Sequence, residues 1–269
     1  MTDLTWVLQS NAINEGDLAS LTEALNALGI RVEKLSVVPF SHEPAQPLPV
    51  ISGPCIAYGS SGLLKVARNA GWQPAGWDGP NFDASFANGH LGKLALNNHA
   101  EKAKWSKIAG IARAKGWNPI FVRPNSETKE FAGKVYELED LERWLQTLKD
   151  TQYHDEGEND AIVSPAVELG REWRAFVVEN EQISVCQYAN KGVSDKVKGA
   201  PGEVSHFITQ VIDKYSPAPC FVVDIAETIS ESGQELRVVE FNSINSAGFY
   251  LCDTKIIVEK LSAYVDELY

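Results

Sequence analysis

The sequence predicts an α/β fold in two parts, and three observations carry that reading. The chain opens β-α-β over residues 5–38, a pattern that favours parallel strand pairing. Its later half holds two hairpins of β-rich runs joined by short polar turns, around residues 179–181 and 230–233, which add antiparallel sheet. With 269 residues it can bury a large core divided between two domains or two lobes.

Each element follows from local pattern. Thr5–Gln9 reads as a short buried strand. Residues 14–28 carry Leu18, Leu21, Leu25 and Leu28 at helical spacing and stop at Gly29, a suitable C-terminal glycine. The second strand is 30–38, and the proline-rich stretch 39–49 is a loop. Strand 54–58 runs into Gly59-Ser60-Ser61-Gly62, and 63–70 is helical. Residues 71–92, rich in Gly, Asn, Asp and aromatics, predict a long connection of a length that tends to be functional. A helix is expected at 94–115, with the domain junction near 92–100. Beyond it come strand Ile120–Pro124, a polar loop at 125–134, a short strand at 135–136 and a helix at 138–148. The acidic stretch 149–160 is expected to be exposed. Strand 161–163, the hairpin 173–178 with 182–188, and helices 204–215 and 254–267 complete the pattern.

Hydrophobic residues make up 44% of the chain and there are seven tryptophans, as in an ordered globular protein. The net charge of −12 argues against broad nucleic-acid binding, which relies on a basic surface. Cys55, Cys186, Cys220 and Cys252 lie far apart in or beside apolar runs, so buried small hydrophobes are expected in preference to disulfides or zinc ligands. The opening MTDLTWVLQSN lacks a basic start and a long apolar run, and no stretch reaches the length of a membrane span. A cytoplasmic location with no membrane partner is the expectation.

Chemistry concentrates at residues 221–242. Runs 221–228 and 234–241 flank a polar turn, and a three-residue loop at Glu231-Ser232-Gly233 sets Asp224 opposite Glu240. Alternation then puts Asn242 on their face, with Val223, Ile225, Val239 and Phe241 turned into a core. Two opposed carboxylates lie roughly 5 Å apart at Cβ and repel. Mg²⁺ takes oxygen ligands, usually one or two carboxylates plus substrate phosphates, so Asp224, Glu240 and Asn242 suit it. On this reading Asp224→Asn leaves folding intact or even relieves it. A solvated hairpin face is the alternative. The 59–62 turn is a second candidate, because N–H groups at a helix start suit a carboxylate or phosphate. Its spacing is neither Walker A nor GxGxxG, and a plain serine-capped turn is the other reading there.

Four matches within residues 120–250 resemble the ATP-grasp superfamily. IFVRP at 120–124 resembles the family's phosphate-binding strand, with Arg123 where a lysine usually stands. VSPAVELGREWRAFVVENEQI at 163–183 is similar to the inter-lobe linker and the strand bearing an inward arginine, here Arg174. Asp224 with Glu240, Phe241 and Asn242 resembles the metal-ligand pattern, and NSINSAGFY at 242–250 the loop facing the transferred phosphoryl group. The Arg-for-Lys exchange and the SAGFY ending most resemble an atypical clade named for that replacement and frequent in phages and bacteria. The chain departs from many peptide-type ligases where a second arginine is replaced by Tyr188-Ala189-Asn190-Lys191. Lys102, Lys104 and Lys107 are the candidates for the family's other phosphate lysine.

The resemblance implies an ATP-grasp fold, two α+β lobes clamping a nucleotide, preceded by a Rossmann-like domain. The expected bounds are 1–95 for that domain, 96–165 for the lid lobe and 166–269 for the metal lobe. It implies ATP as cofactor, with its phosphates at Arg123 and Lys134 and its adenosine along Ser164, Val167 and Glu168. Mg²⁺ belongs at Asp224, Glu240 and Asn242. Arg174 is assigned to charge stabilisation in transfer, Ser243 and Asn245 to neutral donation, and Gly59, Ser60, Ser61 and Gly62 to the acceptor substrate. The implied activity is carboxylate–amine ligation through an acyl phosphate on a small molecule or peptide, with a homodimer left open. A kinase acting on a small hydroxyl substrate and a nucleotide-binding module without turnover are the competing readings. The intact Asp/Glu/Asn set counts against the module.

Overall fold

The computed structural model describes residues 3–39, 41–127, 131–150, 160–230 and 233–269. Strands β1 (Thr5–Gln9), β2 (Arg31–Leu35), β3 (Cys55–Tyr58) and β4 (Pro74–Ala75) form a parallel sheet in the order β2-β1-β3-β4. Helices α1 (Glu15–Ala27) and α2 (Ser61–Asn69) connect them. Asn14 caps α1, its side-chain oxygen accepting the Asp17 N–H at 2.9 Å, and the chain leaves the helix through Gly29 at φ 67°. Both are ordinary helix-end chemistry.

Residues 71–92 do not form a structureless connection, because they include β4 and helix α3 (Ala84–Leu91). The start of α3 is satisfied from outside: the Asn125 carbonyl accepts the Ala84 N–H at 2.8 Å and Asn125 Oδ1 accepts the Ser85 N–H at 3.0 Å. A cap supplied from forty residues away leaves no local signature.

The second sheet comprises β5 (Glu101–Lys104), β6 (Ile120–Pro124), β7 (Lys134–Tyr136) and β8 (Asp160–Pro165), in the order β5-β8-β6-β7. Helices α4 (Trp105–Lys115) and α5 (Leu138–Asp150) pack on it through Trp105, Ile108, Ala112, Leu141 and Leu145. The helix expected at 94–115 therefore begins only at Trp105. Glu101–Lys104 pairs antiparallel with β8 instead, and Lys102 and Lys104 reach Asp160 at 3.2 and 2.9 Å. Strand pairing outweighs the helix propensity of an Ala/Lys run. Residues 151–159 of the acidic stretch lie outside the described residues.

The third sheet is the largest and is antiparallel: β9 (Leu169–Val178), β10 (Glu181–Asn190), β11 (Val193–Lys198), β12 (Cys220–Ser230) and β13 (Gly233–Ser243), in the order β11-β10-β9-β12-β13. Helix α6 (Gly202–Lys214) and α3 cover one face, burying Phe207, Ile208 and Val211 against Trp173, Val177 and Phe221. The other face meets the first sheet, α1 and the closing helix α7 (Thr254–Leu268) in a shared core. A column of rings, Trp6, Tyr58, Phe249 and Phe176, runs through that core. The first and third sheets are thus packed as one body. All four cysteines are buried free thiols. Among the described residues no helix is long and apolar enough to cross a membrane.

Candidate active site

The β12–β13 ladder sets Asp224 opposite Glu240, as the sequence predicts, by a different route. Ser230 pairs directly with Gly233, so only Glu231 and Ser232, outside the described residues, separate the strands. A register shift between Asp224 and Ile225 restores the expected pairing toward the other end of the hairpin. The extra residue of this bulge falls on β13 and re-aims its side chains. Val238, not Val239, therefore enters the core, while Val239 lines the cleft beside Arg123 and Glu240.

Asp224 is 2% exposed and does not face a bare like charge. Arg174, its in-register neighbour on β9, grips it with two bonds, Nε to Oδ1 at 2.9 Å and Nη2 to Oδ2 at 2.7 Å. Burial works against the charged guanidinium, but the Asp224 charge and hydrogen bonds outweigh it and hold the Arg174 pKa above its ordinary value. Arg174 Nη1 also donates to the Gly248 carbonyl at 3.2 Å, and its guanidinium stands over the stacked rings of Tyr250 and Tyr188 at 4.9 and 5.8 Å. Tyr188, where a second arginine was expected, donates its hydroxyl to Glu172 at 2.9 Å. Burial raises the Glu172 carboxyl above its usual range; the Tyr188 bond opposes this, and the Asp224 and Glu240 charges add to it. Since Asp224 already has its counter-charge, the expectation that Asp224→Asn is harmless to folding is corrected. The substitution strips a buried arginine of its partner.

Glu240 meets an arginine from the other side. Arg123 on β6 is 7% exposed and reaches across the cleft between the second and third sheets, with Nη2 2.8 Å from Glu240 Oε2 and Nη1 3.4 Å from the Val239 carbonyl. Asn242 lies between the two acids, its Nδ2 3.2 Å from Asp224 Oδ2 and 3.1 Å from Glu240 Oε1. The cleft beside this cluster is walled by Phe121, Pro124, Phe131 and Gly133. A side chain at Gly133 would put Cβ 2.9 Å from the Phe121 ring, so only glycine lets this loop lie so close to Arg123. From the same loop Glu127 Oε2 accepts the Ser243 N–H at 2.8 Å.

Residues 99–259 match a family model for the ATP-grasp domain, that of family 2 in the clade named for exchange between arginine and lysine. The chain belongs to that family. Its fold is similar to that of a RimK domain protein ATP-grasp from Sphaerobacter thermophilus, at 15% identity and TM-score 0.67, over 95% of this chain and 98% of that one. D-cycloserine synthetase DcsG gives 11% identity and TM-score 0.68 over 97% and 99%. The D-alanine–D-alanine ligase of Bacillus anthracis gives 10% identity and TM-score 0.59 over 99% of both chains. At such identities the likeness is one of fold. No curated protein matches the chain.

ATP-grasp domains work with Mg²⁺, and the donor set here fits a hard cation. Two carboxylates and an amide converge, and a half-turn of the Asn242 amide, whose O and N are assigned by hydrogen bonding, presents its oxygen to the same point. Among the described residues no group of three or more His, Cys, Asp or Glu converges, which suits an ion that completes its shell with phosphates and gives no support to zinc.

The other expected residues divide. Ser243 is buried beside the cluster, its hydroxyl accepting the Asn245 N–H at 3.3 Å. Asn245, expected to donate into the cleft, is instead fully buried as a clasp to the first sheet. Its Nδ2 donates to the Ala57 carbonyl at 2.8 Å and its Oδ1 accepts the Trp77 N–H at 2.9 Å. A Cβ at Gly76 would lie 2.5 Å from that amide. The 59–62 turn packs against the same loop: Gly59 N–H donates to the Asn245 carbonyl at 2.7 Å, and Ser60 N–H and Oγ donate to Gln9 Oε1 at 2.9 and 2.8 Å. These donors are taken; the helix start at Ser61 and Gly62 lies beyond them.

Lys134 stands apart from Arg123. It pairs with Val122, whose side chain lies in the helix-covered core, and its ammonium sits 5.2 Å over the Tyr136 ring. Ser164 is buried and donates to Asn97 Oδ1 at 2.9 Å, whereas Val167 and Glu168 are exposed on the linker. Lys107 is exposed, and Lys191 is exposed at the β10–β11 turn. Sequence reasoning missed Glu127, Tyr250, Asn97 and the role of Gly133. Of these only the lone glycine of the polar loop carried a signal.

Proposed function

We propose that this protein is an ATP- and Mg²⁺-dependent carboxylate–amine ligase that activates its acid as an acyl phosphate. One observation carries the reading: Arg123 from one sheet and the Asp224–Arg174, Glu240 and Asn242 set from another meet across a single cleft. A guanidinium fork opposite two carboxylates suits a ligand that is itself a phosphate chain with a divalent cation. The Arg123–Glu240 pair can exchange both its partners at once, the guanidinium for phosphate oxygens and the carboxylate for the cation. Asp224, Glu240 and Asn242 would hold Mg²⁺, which when bound neutralises phosphate charge. The proposed division is a Rossmann-like domain at 1–95, a lid lobe at 96–165 and a metal lobe at 166–269.

Within that division each residue has a task. Arg123 orients the phosphates, and Lys134 joins it only if the lid strand moves. Ser164, Val167 and Glu168 border the adenosine along the linker. Arg174, fixed by Asp224 and two tyrosines, holds positive charge beside the reacting centre without needing to reorganise. Ser243 donates to the acyl phosphate. The 59–62 turn, with its helix start at Ser61, faces the acceptor carboxylate. The amine, by attacking the acyl carbon, expels phosphate. Similar folds belong to D-alanine–D-alanine ligase and to the ligase PsnB, the latter in a structure with a minimal precursor, Mg and ADP. These favour a small-molecule or peptide substrate and a cytoplasmic setting.

The test is a product assay with panels of carboxylic acids and amines. Ligation yields ADP, free phosphate and an amide. ADP with the phosphate retained as a stable ester on a hydroxyl substrate identifies a kinase and overturns the proposal.

A further inference from the structure

Two of the four cysteines touch. Cys186 lies on β10 in register with Arg174, and Cys252 sits in the turn between β13 and α7; their sulfurs are 3.2 Å apart. Both are free thiols, and neither holds a metal or belongs to the proposed ATP site. Cys252 Sγ also approaches the Arg174 carbonyl at 3.6 Å, and Cys186 Sγ the Phe249 carbonyl at 3.8 Å. The turn is pinned beside β10 by a further bond from Asp253 N–H to Ser184 Oγ at 2.8 Å. It is also open to solvent: Tyr250, at φ 52°, is 40% exposed and Leu251 37%. The sulfurs are therefore buried under a surface turn and not in the middle of a layer.

The other two thiols differ. Cys55 lies on β3 in the core of the first sheet and Cys220 on β12 between layers. Burial pushes the Cys55 thiol up to about 12 and raises Cys220 as well. At Cys186 the balance is reversed. The hydrogen bond from the Cys252 thiol lowers its pKa, against the effect of burial, and the Arg174 charge lowers it further. Thiolate character and access are what select one cysteine over another for oxidation.

We propose that Cys186 and Cys252 form a reversible redox pair, closed to a disulfide by a peroxide and reopened by a dithiol. The Cys186 thiolate attacks one peroxide oxygen, the O–O bond breaks, and hydroxide leaves to take up the thiol proton as water. The sulfenic acid so formed is attacked by the Cys252 sulfur. The S–S bond forms as the S–O bond breaks, and a second water carries off the Cys252 proton. Two electrons pass from the thiols to the peroxide, so atoms and charge balance. A disulfide needs sulfurs about 2 Å apart, so the turn must close on β10 by about 1 Å. That turn carries Tyr250, whose ring lies over Arg174 and on Tyr188. An effect on ATP chemistry follows only if the proposed function also holds.

The test uses the whole chain. The reduced protein is treated with hydrogen peroxide, alkylated in denaturant, and its thiols counted by intact mass. Four alkylated cysteines are expected before treatment, two after, and four again after dithiothreitol, with peptide mapping placing the bond between residues 186 and 252. Cys252→Ser abolishes the cross-link while leaving Cys55 and Cys220 unoxidised; Cys186→Ala is the second variant, should the first not fold. Loss of Cys55 or Cys220 as fast as Cys186, or absence of the linked peptide from oxidised folded protein, overturns the pair. ATP binding is measured on the same samples. A chain that cross-links without binding ATP sinks the functional reading alone, and one that binds ATP without cross-linking sinks the redox pair alone.

Discussion

Arg174–Asp224 and Arg123–Glu240 each join an arginine to a carboxylate of the β12–β13 hairpin, and they differ in what brings the partners together. The first pair is made inside one sheet, between in-register neighbours, through two bonds of 2.9 and 2.7 Å. The second spans two sheets and rests on a 2.8 Å contact with a long 3.4 Å bond to a carbonyl. Strand pairing fixes the first wherever the sheet is folded. The second exists only while β6 lies close to β13. A charge that must stay put belongs in the first arrangement, and a charge that must change partners belongs in the second.

The largest expected effect lies in the fixed pair. Asp224→Ala leaves a buried arginine without its counter-charge, and denaturant unfolding should show a loss of about 3–5 kcal/mol; an unchanged midpoint would mean that the pair is not part of the frame. Next comes the exchangeable pair. Glu240→Gln keeps the shape and a hydrogen bond, so its stability loss should be about 1–3 kcal/mol, while ATP turnover collapses. Stability losses as large as those of Asp224→Ala would erase the distinction between the two pairs.

Smaller still is the effect of Glu172. Its folded-state pKa is raised, chiefly by burial. Its contribution is therefore complete below the ordinary value of 4.5 and is lost as pH rises through the higher folded value. Stability profiles against pH should show Glu172→Gln removing that fall, and a profile parallel to the parent would place the group in solvent. Smallest is Asp160→Ala, which breaks the exposed pairs to Lys102 and Lys104. Exposed ion pairs add little, so its unfolding midpoint should match that of the parent. A clear shift would show that strand β5 depends on those charges.

What the sequence made legible was what has a short period. The pairing of Asp224 with Glu240 and the placing of Asn242 follow from alternation along two strands, although a two-residue connection and a bulge reached the same register in place of the expected loop. The inward set of Arg174 follows from its apolar neighbours Phe176 and Val178. Its partner was not legible, because Asp224 becomes a neighbour only through the β9–β12 register. Helix α3 stayed hidden because Asn125 caps it from afar. Strand β11 stayed hidden because all its residues are exposed and polar alternation on an edge strand resembles a loop. Asn245 shows the opposite failure: a motif-bearing residue beside the cluster is consumed in holding the first sheet.

The central claim is that Arg123 trades Glu240 for ATP phosphates, and calorimetric titration of Arg123→Ala with Mg²⁺·ATP and with adenosine tests it most directly. The account predicts that ATP affinity falls by more than about tenfold while adenosine affinity changes by less than about twofold, since only ATP carries the groups a guanidinium fork recognises. Arg123→Lys should recover part of the loss. Equal losses for ATP and adenosine, with the fold intact by thermal unfolding, would contradict the account.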